Sequence, residues 1–147
     1  MSPIVEARVT KHCTDMHETQ DSEYGFPPRV LPSLLLVDDD PLVRESLGEL
    51  LTELPYPVHI VAGGTEALDT LSSHPDIALL ITDIMMPEMD GLTLARNARA
   101  SNPHLRVLFL SGLQRPWGAE EFLAKPVSAL DLLARVERLM GERVLTA

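Results

Sequence analysis

The stretch LLITDIMMPEMDGL, residues 79–92, decides the fold, because a run of apolar residues in it ends at an aspartate. The apolar part belongs to IALLIT, residues 77–82, whose composition is typical of a strand buried on both faces of a sheet. Asp83 follows that strand directly. An aspartate in this place either caps a helix or stands at the sheet edge to do chemistry, and the rest of the sequence distinguishes the two.

Short apolar runs alternate with helix-type periodicity on both sides of this stretch. The runs predict five strands, at residues 34–37, 58–61, 77–82, 106–110 and 121–124. Asp40 and Pro41 are typical of the N-cap and first residue of a helix, and Gly141 predicts the end of the last helix. Strands that alternate with helices predict an α/β fold in which helices cover both faces of a parallel sheet.

The chain has 147 residues, which suits one domain with tails. Three prolines within six residues, at positions 27, 28 and 32, favour an extended linker before the first strand. We therefore expect a flexible N-terminal tail or linker at residues 1–33, a folded domain at residues 34–141 and a C-terminal tail at residues 142–147.

The formal net charge of -10 argues against a nucleic-acid partner bound through a basic face. It fits a cationic partner surface or a bound metal cation, and it also fits a surface charge that only keeps the protein soluble. Cys13 is the only cysteine, which favours a reducing compartment. No apolar segment has the length of a signal peptide core or a membrane span. We expect a cytoplasmic protein with no membrane partner.

Polar residues follow four of the five predicted strands, and they are Asp38–Asp39–Asp40, Asp83, Ser111 and Lys125. The carboxyl ends of parallel strands share one edge of the sheet, where ligands bind in such folds. Helix capping explains Asp40 but not the convergence of Asp38, Asp39 and Asp83. Carboxylates that lie close together raise one another's pKa unless a cation joins them, and a compact site with oxygen ligands suits Mg²⁺. With the positive charge of Lys125 and the hydroxyl of Ser111, this site could receive a phosphoryl group on a carboxylate oxygen.

In order and spacing, four motifs resemble the receiver domain of bacterial two-component response regulators: VDDDP, TDIMMPEMDGL, LSG and AKP. The resemblance covers residues 34–140. It implies a flavodoxin-like, doubly wound sheet of five parallel strands in the order 2-1-3-4-5, with helices on both faces.

The resemblance also implies a role for each site residue. Asp83 matches the aspartate that accepts the phosphoryl group, and Lys125 matches the lysine that pairs with the phosphoryl oxygens. Asp38 and Asp39 match the acidic pair that holds Mg²⁺, with Asp83 itself and the backbone carbonyl of Met85 as the other protein ligands.

Further positions match residues that respond to the phosphoryl group. Ser111 matches the hydroxyl residue that closes on it, and Phe122 matches an aromatic switch residue, although an ordinary core phenylalanine explains Phe122 equally well. The Lys125–Pro126 peptide bond is expected to be cis. Met85 and Leu113 match positions that set the lifetime of the phosphoaspartate, and because their apolar side chains cannot orient water, we expect slow self-dephosphorylation.

The segment GLQRPWGAE, residues 112–120, departs from the family pattern. A parallel crossover usually needs a dozen or more residues, and Pro116 and Gly118 oppose a helix. We predict that the fourth helix of the family is missing or reduced to about one turn, which leaves open whether the protein is a monomer or a dimer. Trp117 either folds over the vacated space or anchors a partner.

These features predict a single-domain response regulator of a two-component phosphorelay. Asp83 would receive its phosphoryl group from a histidine kinase or histidine phosphotransfer protein, and output would run through contact with an unidentified downstream protein. Such a protein is not an enzyme, since it catalyses only its own phosphorylation and dephosphorylation. The alternative is a phosphorylation-independent, receiver-like protein-binding module. A phosphatase with an aspartyl nucleophile usually needs a second acid two residues later, where this chain has Met85.

Overall fold

The structure is a computed structural model and describes residues 31–112 and 121–146. The predictions for most of the N-terminal tail, for Leu113 and for Trp117 lie outside these residues. Strands and helices alternate along the described chain, as the sequence predicts. In order they are β1 Ser33–Val37, α1 Pro41–Leu51, β2 Val58–Val61, α2 Gly64–Ser73, β3 Ile77–Asp83, α3 Gly91–Ser101, β4 Arg106–Ser111, β5 Phe122–Ala124 and α4 Ala129–Thr146.

The five strands form one parallel sheet in the order β2-β1-β3-β4-β5, which confirms the predicted fold. Their register aligns the carboxyl ends. Val37 pairs with Thr82, and Asp83 pairs with Leu110. Ser111 in turn pairs with Ala124. The residues that follow β1, β3 and β5 therefore come out at one edge of the sheet.

The sheet divides the core into two layers, because successive strand residues point to opposite faces. Leu34 and Leu36 of β1 pack on the face covered by α1 and α4. Leu35 and Val37 pack on the face covered by α2 and α3. All four side chains are fully buried, as expected for a central strand covered on both faces.

The first helix begins as its sequence predicts. The Asp40 carboxylate accepts a hydrogen bond of 2.9 Å from the amide of Leu42, and Pro41 is the first helical residue. The prediction for the end of the last helix is wrong: α4 continues past Gly141 to Thr146, so most of the predicted C-terminal tail is helical. A glycine inside a helix costs only about 1 kcal/mol relative to alanine, and buried Leu139 and Met140 anchor the preceding turn.

Four helices lie in residues 31–112 and 121–146, which fits a reduced fourth helix. Most of the short connection before β5 falls outside these residues. Among the described helices, none combines the length and the apolarity that crossing a bilayer requires.

Candidate functional site

The strand-end residues singled out in the sequence converge at the carboxyl edge of the sheet. Nζ of Lys125 lies 3.2 Å from Oδ2 of Asp38 and 3.1 Å from Oδ2 of Asp83. Carboxylate oxygens of Asp38, Asp39 and Asp83 all lie within 4.8 Å of one another. The structure thus brings together four of the predicted site residues, contributed by the ends of three strands.

Asp38 is the most deeply buried member of the acidic cluster, with no exposed surface, whereas Asp39 is exposed. Oδ1 of Asp38 accepts a hydrogen bond of 2.9 Å from the amide of Asp40, while Oδ2 of Asp38 accepts one from Lys125. Burial raises the pKa of Asp38, and the hydrogen bond from Asp40 and the charge of Lys125 only partly oppose this effect. The negative charge of Asp38 is therefore incompletely compensated, which suits a site that takes a further cation.

Asp83 ends β3 and is 7% exposed. Its Oδ1 accepts a hydrogen bond of 3.3 Å from the amide of Met85, and its Oδ2 contacts Lys125. Both carboxylate oxygens therefore have fixed directions, on a strand that is buried along its whole length.

The loop after Asp83 folds back closely on the strand end. The amide of Gly91 donates a hydrogen bond of 2.8 Å to the carbonyl of Ile84. A Cβ atom at Gly91 would overlap the backbone carbonyl oxygen of Asp83, so only glycine fits there. Glu88 adopts a positive φ of 70° within the same loop. This tight packing fixes α3 against the residue that carries the candidate nucleophile.

Lys125 is held from two directions. Its backbone amide donates a hydrogen bond of 2.7 Å to the carbonyl of Ser111, and the Lys125–Pro126 peptide bond is cis, which confirms that expectation. Burial alone would lower the pKa of Lys125, but hydrogen bonds and Coulombic attraction from Asp83 and Asp38 outweigh it, so the pKa is raised. The side chain is therefore positively charged at neutral pH.

The remaining predicted residues surround this centre. Ser111 is fully buried at the end of β4, and Phe122 is half-buried on β5 beside the core layer that contains Phe109. Met85 is 68% exposed. The roles predicted for these three side chains remain predictions, as does that of Leu113, which lies outside the described residues.

One residue near the cluster was missed in the sequence. Nη1 of Arg44 on α1 donates a hydrogen bond of 2.9 Å to the backbone carbonyl of Asp38. The only sequence signal is an arginine six positions after Asp38, which a surface position on an amphipathic helix explains equally well.

Comparisons with known proteins agree with this geometry. The family model described as the response regulator receiver domain matches residues 34–137. Response regulator MprA of Mycobacterium avium (strain 104) is 39% identical over 118 residues, which cover 73% of this chain and 50% of MprA. The chain thus spans about half the length of the curated relatives that it matches.

Two solved structures extend the comparison. A response regulator receiver domain protein from Clostridium thermocellum is 27% identical with a TM-score of 0.73, covering 80% of this chain and 100% of that chain. A CheX–CheY–BeF3–Mg²⁺ complex from Borrelia burgdorferi is 29% identical with a TM-score of 0.67, covering 73% of this chain and 87% of that chain.

Proposed function

The chain belongs to the receiver domain family of response regulators, and from this we propose that it accepts a phosphoryl group on Asp83 in a Mg²⁺-dependent reaction. The donor is a histidine kinase or a histidine phosphotransfer protein. A carboxylate oxygen of Asp83 attacks the phosphorus of a phosphohistidine, the phosphorus–nitrogen bond breaks, and the imidazole leaves with a proton from solvent.

The contact of 3.1 Å between Lys125 and Asp83 carries this proposal. A carboxylate that gains a phosphoryl group needs a cation beside it, because charge accumulates on the phosphoryl oxygens during transfer. Lys125 supplies that charge from a rigid position, and Ser111 at the end of β4 supplies a hydroxyl at the same edge.

The acidic cluster fits Mg²⁺. Asp38, Asp39 and Asp83 offer only oxygen ligands, grouped within 4.8 Å, and the exposure of Asp39 leaves one side open to water. Mg²⁺ prefers few carboxylates and retains several waters. Mg²⁺ bound there, with the carbonyl of Met85 as a further ligand in the proposal, would offset charge on the phosphoryl oxygens. The structurally similar Borrelia complex contains Mg²⁺, which supports this choice of metal.

A cleft beside Lys125 supports docking of a protein donor. It has a volume of about 570 Å³, and Leu42 of α1, which is 76% exposed, lines it together with Pro126 and Val127. An apolar surface next to Lys125 suits contact with a protein better than contact with a small anion. We further propose that the protein acts as a single-domain regulator in the cytoplasm. Its output is contact with another protein, and it catalyses no reaction on a separate substrate. Phe122 is the proposed switch residue.

The test is the intact mass of the protein after incubation with acetyl phosphate and Mg²⁺. We expect a gain of one phosphoryl group that requires Mg²⁺ and is lost in Asp83→Asn. Asp131→Asn, an exposed aspartate on α4, is the matched control and should be phosphorylated normally. A folded wild-type protein that binds Mg²⁺ but gains no mass would overturn the proposal in favour of a phosphorylation-independent binding module.

A further inference from the structure

Arg44 connects α1 to the acidic cluster. The residue is half-buried and is the fourth residue of the helix. Its Nη1 donates a hydrogen bond of 2.9 Å to the backbone carbonyl of Asp38, and its amide donates one of 2.9 Å to the carbonyl of Asp40. One residue therefore binds both ends of the three-aspartate connection between β1 and α1.

The position of Arg44 is unfavourable for the helix itself. The amino-terminal end of a helix carries a positive partial charge, which disfavours a cation in the first turn, and Arg44 is the last residue of that turn. Residues that contradict such a local preference are expected where function requires them. The compensating contact of Arg44 is a hydrogen bond from a charged donor, which is stronger than one between neutral groups.

That hydrogen bond fixes a peptide group on which the metal ligands depend. The Asp38 carboxylate is already held by the amide of Asp40 and by Lys125. The Asp38 carbonyl belongs to the peptide bond that leads to Asp39, so its orientation determines the direction in which Asp39 leaves the strand end. Asp39 is exposed, and packing contributes little to hold its backbone.

We propose that Arg44 is a positioning residue for Mg²⁺: its hydrogen bond to the Asp38 carbonyl holds the Asp38 and Asp39 carboxylates at the spacing that one cation requires. This inference rests on the proposed function, because it takes Mg²⁺ as the cation of the cluster. Arg44 itself does not contact the ion or the phosphoryl group.

The test is calorimetric titration of the folded protein with MgCl2, in the wild type and in Arg44→Met. A purely Coulombic effect would tighten Mg²⁺ binding in the variant, because a positive charge is removed near a cation site. A positioning role predicts the opposite sign, with the dissociation constant raised about tenfold, the loss expected for one charge-assisted hydrogen bond. Arg44→Lys, which keeps a cationic donor, should lie between the two.

Arg96→Met is the matched control, since Arg96 is exposed on α3 and its removal changes the net charge equally. It should bind Mg²⁺ like the wild type. Binding by Arg44→Met that is unchanged or tighter than in the wild type, or an equal loss in Arg96→Met, would overturn the inference. If Arg44→Met does not fold, Arg44→Gln takes its place with the same expectation.

The calorimetric result does not depend on phosphoryl transfer. A wild-type protein that binds Mg²⁺ but is not phosphorylated would overturn the proposed function, and the Arg44 comparison would still decide the positioning role. A wild-type protein that binds no Mg²⁺ would overturn the positioning role.

Discussion

Nζ of Lys125 lies 3.1 Å from Oδ2 of Asp83, so the candidate nucleophile is already paired with a cation. The same ammonium group lies 3.2 Å from Oδ2 of Asp38. A metal ion that enters the cluster must therefore compete with Lys125 for oxygens of two carboxylates. Lys125 has two opposed effects in the proposed reaction, because it weakens metal binding and supplies charge to the phosphoryl group.

Replacing Lys125 should separate these two effects. Lys125→Met is expected to bind Mg²⁺ about tenfold more tightly, because the competing ammonium is gone. At saturating Mg²⁺ its phosphorylation by acetyl phosphate should be about a hundredfold slower, because a fixed charge that stabilises the transition state is lost. Calorimetry gives the first quantity and the time course of intact mass gives the second. Weaker Mg²⁺ binding in the variant would contradict the competition, and Arg96→Met serves again as the charge control.

Gly91→Ala should destabilise the fold. The added Cβ would overlap the carbonyl oxygen of Asp83, and because that atom belongs to the backbone, the loop and α3 must shift. We expect the free energy of unfolding to fall by about 1–3 kcal/mol, the usual cost of overpacking. Urea unfolding followed by circular dichroism measures this change.

A second glycine provides the control for that substitution. A Cβ at Gly141 meets no atom within 4 Å, and Gly141 lies inside α4. Gly141→Ala should therefore raise the free energy of unfolding by about 0.5–1 kcal/mol. Equal effects of the two substitutions would show that the close contact at Asp83 has no energetic weight.

The site could be predicted from the sequence because its residues follow strands whose composition is unmistakable. Asp83 comes directly after six residues that are all buried, and Lys125 comes after the last strand. Once the strands are parallel, their ends must share an edge, and the carboxylates must converge. No contact between side chains has to be known for that step.

Other features depend on contacts that the sequence does not encode locally. The hydrogen bond from Arg44 requires one side-chain conformation and one carbonyl direction. The continuation of α4 past Gly141 depends on whether packing outweighs a weak propensity. The strand sequence VHIV gives no indication that His59 has a histidine neighbour. That neighbour, His74, lies at the end of α2 and contacts His59 only in the folded chain.

Met85 tests the expected long lifetime of the phosphorylated state. Its side chain is 68% exposed and apolar, so it cannot hold a water molecule near Asp83 by hydrogen bonding. In Met85→Asn an amide can orient such a water, and we expect dephosphorylation to be about tenfold faster. This acceleration is smaller than that of a general acid or base, because an amide orients the water without taking its proton. The mass of purified phosphoprotein is followed over time in Mg²⁺ buffer, with Met85→Leu as a control that should keep the wild-type lifetime. A wild-type lifetime of seconds would contradict the expectation.

His59 should make the fold sensitive to mild acid. It is 3% exposed on β2, and its ring centroid lies 4.3 Å from that of His74. Its pKa is lowered from 6.5 to about 4, chiefly because burial penalises the charged ring and also because His74 repels it, while Asp76 acts in the opposite direction. Between these pH values the unfolded chain binds a proton that the folded chain does not. The free energy of unfolding is therefore not reduced by His59 above pH 6.5, and it decreases as the pH falls towards 4.

From pH 7.5 to pH 5 this linkage should remove about 2 kcal/mol from the free energy of unfolding. The loss is measured by urea unfolding at the two pH values. The side chain in His59→Phe cannot bind a proton. The free energy of unfolding that this variant loses between the two pH values should therefore be smaller than the loss in the wild type by about 2 kcal/mol. His104→Gln changes an exposed histidine and should retain the wild-type dependence. If His59→Phe lost as much stability as the wild type, the acid sensitivity would have to come from another group.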